Sequence, residues 1–223
     1  MSIDQVREIA DAVLYEGYLL YPYRASSGKN QSRWQFGVLG PPQAGPGCFS
    51  EEPELAMQCL LRAHSPQATV TVQLRFLQLQ AREVQQLDQH GEYRTVPSVA
   101  DESVLSWDEA VEREFTLPPL RLPALVESMD FPLQIAGGSE SEPLDAENAR
   151  IRRQRWQLTA GVSVGVELDG GYYRLTVRVR NEHPRPVTGK DQAVRVSLLG
   201  THLLLQATDA DFVSLLEDRK SVV

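Results

Sequence analysis

The residues best suited to binding chemistry lie in a short stretch near the N-terminus of this 223-residue chain. Arg24, Lys29 and Arg33 carry positive charge there, although the whole protein has a formal net charge of -8. Cationic side chains donate charge-assisted hydrogen bonds to carboxylates and phosphates. The stretch therefore predicts a binding site for an anion or an acidic protein surface. Its candidate residues are Tyr21, Tyr23, Arg24, Lys29, Asn30, Arg33 and Trp34.

Two aromatic-rich strands, at residues 18–25 and 33–39, are predicted to flank the polar loop that carries these charges. The alternative is a solvated hairpin loop whose aromatic side chains pack inward, since isolated basic loops are common. The stretch does not contain GxxxxGK[ST], the pattern of a phosphate-binding loop.

The spacing of the other potentially catalytic or metal-binding residues matches no known motif. The four histidines are scattered and none has HExxH spacing, while Cys48 and Cys59 do not form a CxxC pair. Neither GxSxG nor GxGxxG occurs, and no spacing selects a pair of carboxylates. The sequence thus predicts no catalytic residue, no metal site and no cofactor. His202 is the histidine of most interest, with a hydrogen-bonded structural role favoured.

Charge and hydropathy exclude further classes of function. A pI near 5.1 argues against nucleic-acid binding, which needs a basic face to neutralise phosphates. No apolar run approaches the roughly 18 residues of a membrane span. The N-terminus lacks the basic and apolar regions of a signal peptide. A cytoplasmic protein without a membrane span is predicted.

The stretch 158–179 gives the clearest structural signal. Val162, Val164 and Val166 alternate with polar or small residues, and the return arm alternates in the same way. Asp169-Gly170 between the arms favours a type I′ turn. This turn would place Val166 opposite Tyr173 and Val164 opposite Leu175. All apolar residues of the hairpin would then share one face, and Arg174, Thr176, Arg178 and Arg180 the other.

The remaining pattern is mostly that of short strands. A capping box at Ser2-x-x-Gln5 opens an amphipathic helix that is expected to pack on a sheet face. Residues 54–62 favour a strand over a helix, 107–117 fit either, and the run from Val70 to Leu79 predicts a long strand with a bulge or bend. Further strands are predicted at 131–135, 194–198 and 203–206.

Residues 137–143 are predicted to be a flexible acidic linker. The arginines at 150–155 follow several carboxylates, which indicates local charge compensation rather than a nucleic-acid arm. The predicted fold is mainly β (α+β): an antiparallel β-sandwich or curled sheet with a short N-terminal helix. Residues 1–217 would form a single β-rich domain, or two lobes that divide near 137–149.

Residues 9–24, 33–37 and 194–203 resemble an uncharacterised protein family encoded in the gene clusters of nickel-iron uptake hydrogenases. Within these stretches Tyr21-Pro-Tyr-Arg24 is the most specific part. The resemblance implies a role in hydrogenase assembly or function, with hydrogenase subunits or maturation factors as protein partners. It transfers no catalytic residue, so it favours a non-catalytic scaffold, chaperone or accessory protein.

The family continues beyond the end of this chain, so an N-terminal fragment is expected. Residues 218–223 match the translation of a common sequencing adapter, and native sequence is expected to end near Glu217. The alternative function is an enzyme or ligand-binding protein whose active site lies partly in a missing C-terminal region.

Overall fold

A single 19-residue strand, β2 (Thr69–Leu87), organises the larger of two sheets. The computed structural model describes residues 5–12, 37–45, 51–99, 104–144 and 148–214. Along one edge, β2 pairs first with β13 (Leu199–Thr208) and then with β10 (Ala149–Arg155), which in turn pairs with β9 (Gly138–Leu144). Its other edge pairs with β7 (Leu120–Arg121), β6 (Trp107–Thr116) and β3 (Tyr93–Val96).

The smaller sheet contains β1 (Glu54–Ala63), β8 (Met129–Ile135), β11 (Leu158–Asp169), β12 (Tyr172–Asn181) and β14 (Ala210–Val213). Its strand order is β14-β1-β12-β11-β8, with every pair antiparallel. Two short strands, β4 (Ser98–Val99) and β5 (Val104–Leu105), pair separately. The described helices are α1 (residues 5–12), a 3-10 helix (Leu122–Val126) and α2 (Lys190–Arg195). The predicted mainly-β, sandwich-like fold is confirmed.

The core lies between the two sheets. Val70, Val72 and Phe76 of β2 are buried there against Val162 and Val177 of the smaller sheet. Alternation puts one side of each strand into this layer, so burial of apolar area is the main stabilising term. Phe76 also stacks on Phe115 of β6, with ring centroids 6.1 Å apart.

The β11–β12 hairpin forms with the predicted faces but with a different turn. Gly170 and Gly171 occupy the centre of the turn with φ of 56° and 88°, whereas Asp169 pairs with Tyr172. Val166 therefore lies opposite Leu175 rather than Tyr173. Two glycines adopt positive φ without the steric cost that Asp169 would incur. Because the pairing shifts by two residues, each side chain keeps its face.

The predicted flexible linker at 137–143 is wrong. β8 pairs with β11 and β9 pairs with β10 in one continuous register, from Met129 opposite Val164 to Leu144 opposite Ala149. The four strands therefore make a single long hairpin that bends at residues 136–137 and 156–157. One half belongs to each sheet, so the acidic segment is a strand held by backbone hydrogen bonds.

Other expectations divide between confirmation and correction. The strands predicted at 54–62, 70–79 and 131–135 are confirmed as parts of β1, β2 and β8, and the segment 107–117, which fitted either helix or strand, forms β6. The predicted bulge lies instead in β13, between Leu199 and His202, while β2 pairs with β6 without interruption. Residues 194–198 are not a strand, because α2 covers 190–195 and β13 begins at Leu199. This short helix buries Ala193 completely and stacks Arg195 on Trp156.

Candidate functional site

The seven residues of the predicted binding stretch, from Tyr21 to Trp34, lie outside the described residues. The structure does describe the chain on both sides of this interval, up to residue 12 and from residue 37 onward. Both borders contact the larger sheet near β2 and β13. The helix at residues 5–12 packs on the face opposite the core, and residues 37–39 form backbone hydrogen bonds beside β13. This region is the candidate site.

Helix α1 packs on that outer face. Ala10 is 5% exposed, while Ile9 next to it is 58% exposed, so one side of the helix faces the sheet. Arg7 forms an ion pair with Glu114 of β6 at 2.5 Å, and Asp11 hydrogen-bonds to Arg75 of β2. The predicted packing of the N-terminal helix on a sheet face is confirmed.

Arg75 is the centre of the site, and we use the name Arg75 cluster for Asp11, Arg75, Glu112, Glu114 and His202. The Arg75 side chain is fully buried. Its guanidinium donates to Asp11 and Glu112, and its Nε lies 3.4 Å from Glu114. Burial opposes the charge, but the hydrogen bonds to Glu112 and Asp11 outweigh it and raise the pKa of Arg75. The cluster therefore fixes a permanent cation beneath the helix.

His202 lies directly opposite Arg75 on β13. Its Nδ1 is 2.8 Å from the carbonyl oxygen of Gly200, which can only accept, so Nδ1 carries the proton. Nε2 is then a buried acceptor, and it has no partner among the described residues. Burial lowers the pKa of His202, and nearby Arg75 lowers it further against the opposing Gly200 bond. The expected hydrogen-bonded structural role of His202 agrees with this geometry.

This pKa shift makes the stability of the protein pH-dependent. Because the pKa of His202 is lower in the folded than in the unfolded state, the contribution is present above about pH 6.5 and is lost as the pH falls below it. His202→Asn, whose amide can still donate to Gly200, is expected to reduce the loss of stability between pH 7.5 and 5.5. His90→Asn, in an exposed hairpin loop, is the control. Urea denaturation at each pH measures the effect, and identical pH profiles for His202→Asn and wild type would contradict it.

The chain re-enters the described structure beside this cluster. The amide of Thr201 donates to the carbonyl of Gly37 at 2.8 Å, and Leu39 exchanges two backbone hydrogen bonds with Leu198. Gly37 has φ of 57°, and a Cβ there would lie 2.6 Å from the carbonyl oxygen of Thr201. Only glycine fits this conformation and approach.

Gly37→Ala is expected to lower the free energy of unfolding by about 2 kcal/mol, through backbone strain and the clash with Thr201. Gly91→Ala is the matched control, because φ is 79° there but nothing lies within 4 Å of the added carbon. That control should cost about 1 kcal/mol from conformation alone. Chemical denaturation of both variants separates strain from clash, and equal losses would argue against a tight contact at Gly37.

Sequence reasoning missed the Arg75 cluster. The alternation of Val70, Val72, Leu74 and Phe76 predicts a strand with Gln73 and Arg75 on its other face, but it does not show what covers that face. The sequence does contain one signal, because Arg75 is followed by Phe76-Leu77, where both faces of the strand are apolar. The apolar Leu77 indicates that the face carrying Arg75 is covered from residue 77 onward.

The predicted charge compensation along β10 is confirmed. Arg153 pairs with Glu142 at 2.8 Å, Arg155 pairs with Glu140, and Arg152 lies 3.8 Å from Glu83. Exposed pairs of this kind contribute little to stability. They do cancel the local positive charge.

Within the described residues, no group of three or more His, Cys, Asp or Glu side chains could hold a metal ion. Cys59 is a free thiol whose pKa is raised by burial. The described helices include none that is long and apolar enough to cross a membrane.

Comparison of the chain with protein-family models, with curated proteins and with solved structures found no match.

Proposed function

We propose that this protein is a non-catalytic accessory or scaffold protein of a nickel-iron hydrogenase system, and that it acts by binding another protein. The proposal starts from the three stretches, 9–24, 33–37 and 194–203, that resemble the hydrogenase-cluster family. Hydrogenase subunits or maturation factors are the proposed partners.

The observation that carries the proposal is where those stretches meet. Asp11 of the first bonds to Arg75, His202 of the third lies opposite Arg75, and Gly37 of the second accepts a hydrogen bond from Thr201 of the third. Segments that are far apart in sequence therefore meet near β2 and β13 of the larger sheet. A shared binding surface would produce this arrangement.

The electrostatics of the Arg75 cluster suit a rigid binding surface better than acid–base catalysis. A general acid or base works best with a pKa near the operating pH. Here the pKa of Arg75 is raised and that of His202 is lowered, so both shifts lead away from a pKa near neutral pH. The ion pairs of Arg7 with Glu114 and of Asp11 with Arg75 hold the helix on the sheet. The candidate contact residues Arg24, Lys29 and Arg33 follow this helix in the sequence.

Affinity capture of the full-length protein from cells that express the hydrogenase gene cluster tests the proposal. Wild-type protein is expected to retain hydrogenase subunits or maturation factors, identified by mass spectrometry. Replacing Arg24, Lys29 and Arg33 by Glu should reduce this recovery strongly, because an acidic partner surface would then be repelled.

The matched control replaces Arg121, Arg178 and Arg185 by Glu, since these side chains are exposed and lie away from the Arg75 cluster. Both triple variants change the net charge equally. A difference in partner recovery between them therefore depends on where the charges lie and not on how many there are. Equal recovery of hydrogenase proteins by the two variants would show that the 24–33 stretch is not part of the interface. Absence of hydrogenase proteins from the wild-type capture would count against the proposed partners.

A further inference from the structure

Two arginines converge on the core-side face of the larger sheet, near the bend of the long hairpin. Arg113 of β6 and Arg155 of β10 approach β2 from its two opposite edges. Arg113 is adjacent in sequence to Glu112 and Glu114 but points to the other face, so this location is separate from the Arg75 cluster.

Buried glutamines hold both guanidinium groups. Gln78 is fully buried, and its Oε1 accepts from Nε of Arg113 at 2.9 Å. Gln80 is 7% exposed, and its Oε1 accepts from Arg155 at 2.5 Å. The two glutamines are two residues apart on one face of β2, a spacing of about 7 Å along a strand.

The orientation of Gln78 is itself fixed. Its amide nitrogen donates to the carbonyl oxygens of Ala136 and Trp156, at 3.2 and 2.7 Å, where the long hairpin bends between the sheets. Gln80 likewise donates to Glu109 at 2.7 Å. With the nitrogens committed in this way, each amide must present its oxygen to an arginine. The two cations are therefore preorganised by the fold.

Arg113 has no carboxylate partner among the described residues. Its one hydrogen bond within the described part of the chain uses Nε, so neither terminal amino group is engaged there. Arg155 is only 20% exposed and pairs with Glu140, whose side chain is 64% exposed. Burial, and then the charge of the neighbouring Arg155, lower the pKa of Arg113. The second cause indicates that the two cations are close enough to repel each other. Two half-buried like charges are unfavourable unless an anion compensates them.

Charge in the surrounding network also favours an anion. The network around Arg155 joins three arginines to three glutamates: Arg82, Glu109, Glu140, Glu142, Arg153 and Arg155. Arg113 bonds to Gln78 instead, so its charge is left over after these groups have balanced one another. Glu140 on Arg155 shows the kind of group that fits, since guanidinium groups match the geometry of a carboxylate or phosphate.

We propose that Arg113 and Arg155 form a binding site for a small oxyanion, a carboxylate or phosphate group. The ligand contacts the free amino groups of Arg113 and shares Arg155 with Glu140 or displaces it. Gln78 and Gln80 position the two arginines without contacting the ligand.

Titration of the protein with sodium succinate and with sodium phosphate, at constant ionic strength, tests the site. The ¹H–¹⁵N signals of arginine Nε are followed by NMR in the wild-type chain, with sodium chloride as the reference. Saturable shifts of the Arg113 and Arg155 signals, with Arg121 and Arg178 unchanged, are expected for at least one of the two anions. The anion that saturates identifies the ligand class, carboxylate or phosphate. No saturable shift with either anion, or equal shifts of all arginines, would overturn the proposal.

Variants give an independent measurement by calorimetry. Arg113→Met is expected to weaken binding by about tenfold or more, because a charge-assisted hydrogen bond is lost. Arg113→Lys should weaken it less, while Arg178→Met on the smaller sheet should leave the Kd unchanged. Glu140→Gln, which removes the internal competitor, should tighten binding. Unchanged affinity in Arg113→Met or weaker binding in Glu140→Gln would contradict the assignment.

Discussion

Arg75→Met is expected to lower the free energy of unfolding by about 4 kcal/mol, the largest effect of any single change considered. The substitution keeps the length of a fully buried side chain but removes the cation between Asp11, Glu112 and Glu114. Removing one partner of a buried ion pair leaves the other charges uncompensated. Helix α1 should detach first, because Asp11 loses its partner on the sheet. Urea denaturation gives the magnitude, and hydrogen exchange at residues 5–12 shows the detachment.

Arg178→Met provides the matched control. Arg178 is 48% exposed and lies 3.8 Å from Glu54, so its loss should cost less than about 1 kcal/mol. A loss below about 1 kcal/mol for Arg75→Met as well would show that the cluster does not stabilise the fold. Unaltered exchange in α1 would show that the helix is held by its apolar contacts, such as Ala10, and not by the ion pairs.

Gln78→Leu is expected to cost about 3–4 kcal/mol. The change is nearly isosteric, yet it removes one donor group and one acceptor from a fully buried site. The carbonyl oxygens of Ala136 and Trp156 and the Nε of Arg113 would each lose a partner. A buried polar group left unsatisfied costs about 1–3 kcal/mol. Guanidinium denaturation measures the loss.

Gln58→Leu on the smaller sheet is the comparison for Gln78. Gln58 is exposed and bonds to Thr176 at 2.9 Å, so water can replace the lost bond. We expect its effect to stay within about 0.5 kcal/mol. Similar losses for the two variants would show that the bend of the long hairpin does not depend on the Gln78 side chain.

Local sequence signals predicted the β11–β12 hairpin well. Its faces follow from alternation alone, which is why Arg174 and Arg178 were assigned to the outer side. The turn was misplaced by one residue because Asp169-Gly170 and Gly170-Gly171 both suit a type I′ turn. Backbone strain decides between them, and it favours the pair with two glycines.

Non-local pairing explains the larger errors. Composition made 137–143 look like a linker, yet its strand partner, β10, provides a register that no local pattern reveals. Likewise, Val194 and Val196 alternate over too short a run to distinguish a strand from one turn of helix. The packing of Ala193 in the core settles that choice.

Neither the Arg75 cluster nor the Arg113–Arg155 site could be predicted from the sequence, and the reason is the same for both. Arg75 contacts Asp11 of a helix that lies more than 60 residues earlier in the chain, and the residues around Arg75 give no sign of this partner. Arg113 and Arg155 come from strands on opposite sides of β2, so only the topology brings them together. Sequence reasoning selected Tyr21, Arg24 and their neighbours, which remain a prediction because they lie outside the described residues.

The most direct test of the accessory function is hydrogenase activity in cells from which the gene has been deleted. The full-length gene should restore the activity that deletion removes, and restoration should follow the amount of protein supplied, as expected for a stoichiometric binding partner. The variant with Arg24, Lys29 and Arg33 replaced by Glu should restore less activity than the matched control at equal abundance. Unchanged hydrogenase activity after deletion would contradict the proposed function.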